Sequence, residues 1–367
     1  MTVQRLAHIR QARSDMESDL RQQLDWKHRK ATQDALKNMA NCLLADFADD
    51  TWRAASDMGR ISIPAEDTSL PGQLEEGMQF GSLRIDHEIG KGGFGRAMLA
   101  RDTRTSQTEV VKVYSKQDHG TPKAVSAICR EIFFLQKLEH VNVVGYRGLV
   151  NSPRHILLRL ENCGPVNLYK YLDSNHGAHV TFPKARAFFG QLGAALAHCH
   201  GRGVAHCDLK PENIGVSECG ERIKLLDFGC SAAADIPLFS ACGTMPFIAP
   251  EAFPREQHPG YVPSMADIWS SGIILVEMIV GASCLCRALN WPHNAMPTKD
   301  RYNELRAYFS KGTAGVRALV ANTIGDTPTE LGQVLDGIFQ LVPEERITAA
   351  ELEQADMLRS PASLKIL

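Results

Sequence analysis

The spacing of apolar residues changes along this chain, and each change marks a different kind of segment. Leu6, Ile9, Met16, Leu20, Leu24, Leu36, Met39, Leu43 and Phe47 follow one another mostly in steps of three, four and seven, with charged residues and glutamines between them. That spacing predicts amphipathic helices over residues 1–58. Residues 59–77 hold Pro64, Pro71 and Gly72 among acidic clusters and predict a linker. Beyond Gly81 the period shortens, and Leu83-Arg84-Ile85, Ala97 to Ala100, Glu109 to Tyr114, Gly145 to Val150 and His155 to Leu160 predict strands. Helical spacing returns over Ala124 to Leu138 and Phe182 to His200. The run from Ile268 to Cys286 is long and apolar enough to span a bilayer. Its breaks at Ser270, Ser271, Gly272, Glu277 and Gly281 predict a buried helix instead, and no membrane span.

Composition narrows the picture only a little. A chain of 367 residues with 44% hydrophobic residues supports one large or two smaller domains with a real core. A net charge of −2 argues against a general binder of nucleic acid or membrane surfaces. Arg5, Arg10 and Arg13 are followed at once by Asp15, Glu17 and Asp19, with no apolar signal segment. The ten cysteines form no C-x-x-C pair, so they read as reduced thiols of an intracellular protein, cytoplasmic or nuclear.

The chemistry concentrates in Gly203 to Asn213 and in Asp227-Phe228-Gly229. A short apolar approach delivers a carboxylate at Asp208, an ammonium at Lys210 and an amide at Asn213, and a second carboxylate follows at Asp227. Phosphoryl transfer needs such parts, because it asks for positioning and charge compensation more than covalent work. Asp208 suits the orientation of an attacking hydroxyl, Lys210 the neutralisation of phosphate oxygens, and Asn213 with Asp227 the holding of Mg2+ or Mn2+. Upstream, Gly90, Lys91, Gly92, Gly93, Phe94 and Gly95 lie between two predicted strands, where glycines let backbone amides approach phosphates and Phe94 at the tip excludes water. His198, Cys199, His200, His206 and Cys207 crowd together but lack the paired spacing of zinc ligands, which favours helix-end and core packing.

In this order the motifs resemble those of eukaryotic-type serine/threonine protein kinases. His206 to Asn213 is similar to the catalytic loop, Asp227-Phe228-Gly229 to the metal-binding loop, and Gly243 to Glu251 to the segment ending in A-P-E. Asp267-Ile268-Trp269 is similar to the central helix whose aspartate braces the catalytic loop, and Arg346 to the arginine that pairs with the glutamate of A-P-E, here Glu251. The resemblance covers Met78 to Ser360. It implies an α+β, bilobal fold with a β-rich N-lobe and a helical C-lobe over 78–360, an α-helical N-terminal extension and a short tail at 361–367. It also implies ATP as phosphoryl donor, catalytic roles for Asp208, Lys210, Lys112, Glu131 and Thr244, and protein substrates, with the N-terminal helices free to dock on a partner or on the domain itself. The ATP site it implies consists of Gly90 to Gly95, Ala97, Val110, Lys112, Leu160, Glu161, Cys163, Asn167 and Gly215, with metal held at Asn213 and Asp227. Leu135, one turn beyond Glu131, is expected to pack toward Phe228.

The departures from the family pattern carry expectations of their own. Cys207 replaces the arginine that clamps a phosphorylated activation loop, so loop phosphorylation at Ser231 or Ser240 is not expected to be the main switch. Ala97 and Val110 exchange a small and a larger residue across one pocket roof. Gly215 replaces a large aliphatic residue and is expected to loosen the nucleotide pocket. Glu212 and Glu277 match acidic positions that favour basic residues near the phosphoacceptor. The alternatives are a pseudokinase scaffold that binds nucleotide weakly and a small-molecule phosphotransferase, which would not need the docking segment at Gly243 to Glu251.

Overall fold

A computed structural model describes residues 74–92, 95–116, 122–174, 179–253, 260–292 and 295–355. The helices expected over 1–58, the linker up to residue 73, Gly93 and Phe94, and the tail at 361–367 lie outside the described residues.

Gln79–Phe80 (β1), Leu83–Gly92 (β2), Gly95–Asp102 (β3), Thr108–Ser115 (β4), Tyr146–Asn151 (β5) and His155–Glu161 (β6) form one antiparallel sheet in the order β1-β2-β3-β4-β6-β5. β2 runs far beyond the expected Leu83-Arg84-Ile85, because the glycine run itself joins the ladder: Gly90 pairs with Ala97, Lys91 with Arg96 and Gly92 with Gly95. Alternation sorts the faces of β4. Val111 and Val113 turn to a small core with Leu74, Phe80, Leu83, Ile85, Met98, Ala100 and Leu157. Val110, Lys112 and Tyr114 turn to the opposite face, toward Pro122–Leu135 (α1).

The remainder is mainly helical. Short strands Val166–Asn167 (β7), Val204–Ala205 (β8), Ile214–Val216 (β9), Ile223–Leu225 (β10) and Ala232–Ala233 (β11) make two small sheets, β10-β9-β7 and β11-β8. Leu168–Ser174 (α2) and Phe182–Gly201 (α3) precede the β8–β10 region, and Pro263–Val280 (α4), Cys284–Ala288 (α5), Lys299–Phe309 (α6), Ala314–Ile324 (α7), Thr329–Ile338 (α8) and Ala349–Gln354 (α9) follow it. α4 begins before the apolar run expected for it, with Pro263 at its first turn, and ends at Gly281, whose φ of 116° no side-chain-bearing residue adopts readily. This helix is long and apolar enough to cross a membrane, but it is 89% buried inside the domain, as its polar breaks suggested.

Two ionisable side chains, Arg346 and Glu277, are buried with it. The Arg346 side chain, wholly shielded from solvent, donates a pair of hydrogen bonds to Glu251 (Nη1–Oε1 2.5 Å, Nη2–Oε2 2.7 Å), donates to the carbonyls of Met265 and Gln340, and lies over the Trp269 ring. A buried pair of this kind is tolerable because each of the three guanidinium nitrogens donates a hydrogen bond. Glu277, 2% exposed, accepts from the backbone N–H of Ser283 at 2.8 Å. Burial pushes its carboxyl up to about 8 from an ordinary 4.5.

The folded protein therefore keeps a proton on Glu277 that the unfolded chain releases, so this group costs stability as pH rises from about 4.5 to 8, by about 1.4 kcal/mol per pH unit. Glu277→Gln preserves the acceptor and removes the titration. Denaturation of both proteins at pH 5 and pH 8.5 is expected to show the variant gaining on the native chain at the higher pH. A constant difference between them would refute the protonated assignment.

Candidate active site

The site is assembled where the turn after β8 meets the turn after β10. Asp267, 1% exposed on α4, accepts from the backbone N–H groups of His206 (2.7 Å) and Cys207 (2.8 Å) and from His200 Nε2 (2.9 Å). Held this way, Cys207 takes φ of 66°, an uncommon conformation for a residue with a side chain. His206 donates from Nε2 to the carbonyl of Leu226 (2.7 Å) and packs its ring 5.0 Å from that of Phe228. The two loops are thus joined by one imidazole.

On this support the polar side chains converge. Thr244 Oγ1 donates to Asp208 Oδ1 at 2.8 Å, Lys210 Nζ donates to Thr244 Oγ1 at 2.9 Å, and Lys210 Nζ lies 2.8 Å from Asp208 Oδ2. Burial opposes the charge on Lys210, but the hydrogen bond to Asp208 and the charges of Asp208, Glu212 and Asp227 together outweigh it and hold the ammonium above its usual range. Asn213 donates from Nδ2 to the carbonyl of Asp208 at 2.8 Å, which leaves Oδ1 as its acceptor. Asp227 has φ of 58° and a half-exposed carboxylate.

From the sheet, Lys112 Nζ reaches Glu131 Oε1 of α1 at 2.5 Å and Asp227 Oδ1 at 3.1 Å. Burial works against this ammonium, yet the two carboxylates overcome it and raise its pKa. The surrounding protein partly desolvates the Asp227 carboxylate, but the Lys112 charge outweighs this and holds it below the usual carboxylate range. α1 also packs on the turn Phe228–Cys230, and Leu135 and the fully buried Phe228 share one apolar core. Lys112, Glu131 and Asp227 therefore form one cluster, and Asp208, Lys210, Thr244 and Asn213 another, with Leu226 to Phe228 connecting them.

Gly90, Ala97 and Lys112 are neighbours across β2, β3 and β4, and Val110 pairs with Leu160 of β6. Glu161 and Cys163 follow at the end of β6, but the Glu161 side chain is engaged with the N–H of Gly145 (3.1 Å) and with Lys224 (2.9 Å), and its own backbone N–H donates to the carbonyl of Gly145 (2.8 Å). Asn167 turns to local work, accepting from the N–H of Lys170 at the start of α2.

Gly215 departs from expectation. A Cβ built there would lie 3.0 Å from Cys163 Cβ and 3.3 Å from Leu226 Cδ1. The volume expected to be open is filled by the side chains of Cys163 and Leu226, so the looser pocket is not found. Gly164 is equally constrained, with φ of 124° and no room for a Cβ against the carbonyl of Val216. Glu277 is likewise withdrawn from the acidic surface expected of it by its burial, whereas Glu212 is exposed.

Sequence reasoning missed Tyr114, whose hydroxyl donates to Glu131 Oε2 at 2.6 Å and so holds the second oxygen of that carboxylate. Its place two residues after Lys112 on the same strand was the available signal. Leu226 was missed because its role depends on Gly215. The histidines weighed as zinc ligands go to separate tasks: His198 stacks 5.0 Å from His140, His200 meets Asp267 and His206 meets Leu226.

Asn213 Oδ1 and the Asp227 carboxylate are hard oxygen donors, and as a donor set they fit Mg2+ or Mn2+ better than a softer metal. Residues 83–358 match the family model for the protein kinase domain. CBL-interacting protein kinase 25 of Oryza sativa subsp. japonica is 36% identical over 222 residues, which is 58% of this chain and 41% of the relative. CBL-interacting protein kinase 28 of the same organism is 30% identical over 288 residues, 77% of this chain and 60% of the relative. CBL-interacting serine/threonine-protein kinase 24 of Arabidopsis thaliana is 34% identical over 204 residues, 55% of this chain and 44% of the relative. The chain spans about half the length of the curated relatives it matches. The domain match extends from β2 to the final helix and takes in every residue of both polar clusters, and the chain belongs to the protein kinase family.

Proposed function

We propose that this protein is a serine/threonine protein kinase that moves the γ-phosphoryl group of ATP to serine or threonine hydroxyls of other proteins. The observation that supports it most is the closed arrangement of Asp208, Thr244 and Lys210, with every edge between 2.8 and 2.9 Å. Thr244 and Lys210 hold both oxygens of Asp208, so the carboxylate faces an incoming hydroxyl in one orientation and takes up its proton. Lys112, kept cationic by Glu131 and Asp227, suits the α- and β-phosphates. Lys210, also held charged, suits the transferring group. Asn213 and Asp227 would hold Mg2+ or Mn2+, which when bound neutralises charge on the phosphate oxygens. The adenine is assigned to Ala97, Val110, Leu160, Gly215 and the backbone of Glu161 and Cys163, below the glycine segment from Gly90 to Gly95. An intracellular location, cytoplasmic or nuclear, goes with this reading.

Activation-loop phosphorylation is not the main switch in this proposal. Cys207 is no phosphate clamp, and Ser231, completely buried, donates to the carbonyl of His206 rather than facing solvent. Basic residues near the phosphoacceptor would meet Glu212 alone, since Glu277 is buried.

Phosphate transfer from labelled ATP to a generic protein substrate tests the reading. Asp208→Asn is expected to lower kcat at least about a hundredfold with the fold intact by thermal melting. Thr244→Ala should cost roughly a hundredfold through misplacement of Asp208, while Ser231→Ala and Ser240→Ala stay near the native rate. Binding of ATP with no transfer by the native protein would favour the pseudokinase scaffold. Transfer to small molecules and not to proteins would favour the phosphotransferase.

Pocket filling is tested separately. Gly215→Leu is expected to overpack against Cys163 and Leu226 and to weaken ATP binding by about tenfold or more, read by calorimetry. Tighter binding would restore the idea of an open floor.

A further inference from the structure

Tyr114 stands outside the phosphoryl-transfer scheme, yet it touches two parts of it. Alternation along β4 puts Lys112 and Tyr114 on one face, turned to α1. The Tyr114 side chain is 4% exposed and belongs to the large apolar core with Ile128 and Ile132, whereas Val113 between the two belongs to the small core of the sheet. Its hydroxyl donates to Glu131 Oε2 at 2.6 Å. Its ring borders the last residue of the glycine segment: a Cβ on Gly95 would lie 3.0 Å from Tyr114 Cδ1 and 2.5 Å from the carbonyl oxygen of Val113. We propose that Tyr114 is a positioning residue for ATP: its hydroxyl holds Glu131 in the orientation that meets Lys112, and its ring ties α1 to the end of the glycine segment.

The terminal torsion of a glutamate is broad, so a partner on one oxygen alone leaves the carboxylate free to turn. Here both oxygens are taken, Oε1 by the Lys112 ammonium at 2.5 Å and Oε2 by the phenol, and the two together fix its plane. Glu131 is 3% exposed, which makes water a poor substitute for either partner. Burial and the neighbouring Glu131 charge raise the phenol well above its usual range, so it stays a donor. The ring has little freedom to withdraw, with Gly95 against its edge and Ile128 and Ile132 of α1 in the same core.

Removing the hydroxyl leaves Glu131 Oε2 buried without its donor, and the pair of Glu131 with Lys112 is then populated less. ATP binds the paired state, so its apparent affinity falls with that fraction, while saturating ATP restores the pair and with it the maximal rate. A hydroxyl that served only general stability would instead reduce the amount of folded protein and leave the KM of the remainder unchanged. The role rests on the proposed reading of Lys112 as a partner of the ATP phosphates.

Tyr114→Phe keeps the ring and removes the hydroxyl. In the full chain it is expected to raise the KM for ATP about tenfold with kcat within about twofold of native. Tyr114→Leu also removes the ring edge beside Gly95 and is expected to raise KM at least about threefold further. Ser271→Ala removes another buried hydroxyl, one that donates to the carbonyl of Ile268 at 2.7 Å, and should lower the melting temperature with KM unchanged. With Glu131→Ala in place, Tyr114→Phe should change the calorimetric Kd for ATP by less than about twofold, because the hydroxyl acts through that carboxylate. Amide exchange over residues 128–135 in the nucleotide-free protein should quicken about tenfold in Tyr114→Phe. If the native chain binds no ATP, the functional reading fails, and this exchange still decides whether Tyr114 holds α1 in place. Unchanged KM in Tyr114→Phe, a fall in kcat at native KM, equal KM for the phenylalanine and leucine variants, an equal cost with and without Glu131, or unchanged exchange would each overturn the proposal.

Discussion

A single buried carboxylate organises the catalytic loop. Asp267 stands on the most enclosed helix of the domain, and a charge in that position is tolerable only if hydrogen bonds replace the water it has lost. Two of its donors are consecutive backbone amides, those of His206 and Cys207, and the third is an imidazole. Satisfying the carboxylate therefore dictates the path of the loop. It draws Cys207 into left-handed backbone, and everything that follows, from Asp208 through Asn213, inherits its direction from that bend. The strain at Cys207 is sustained by a partner that has nowhere else to find donors.

A second constraint acts between the sheet and the helical part. Their apolar cores are separate clusters, one inside the sheet and one running from α1 through the helices. Across that division Lys112 connects strand, helix and loop through two carboxylates, while Tyr114 fixes the far oxygen of Glu131. Electrostatics couple the pieces: moving α1 away would leave the Lys112 ammonium with half its compensation and the Glu131 carboxylate buried without its cation. The position of α1 and the state of the phosphate-binding lysine are one variable.

Where the chain departs from its family, neighbours have adjusted. The missing side chain at Gly215 is made up by Cys163 and Leu226, which approach from the connecting segment and from the residue before Asp227. Close packing leaves little void for such a change to create.

The amino-acid sequence by itself determined the strands, the long helices and the identity of the polar groups. Alternation along Glu109 to Tyr114 and the order of charged motifs after Gly203 depend on local geometry and on chemical type, and both are written in single residues. It also determined that the apolar run around Ile268 is core, because its polar residues recur too often for lipid. What only the tertiary structure decided were the contacts between residues distant in the chain: the filling of the space at Gly215 and the burial that withdraws Glu277 from the surface. Each depends on which side chain arrives from another element and on how much water it displaces. Spacing along one strand or helix carries no record of either.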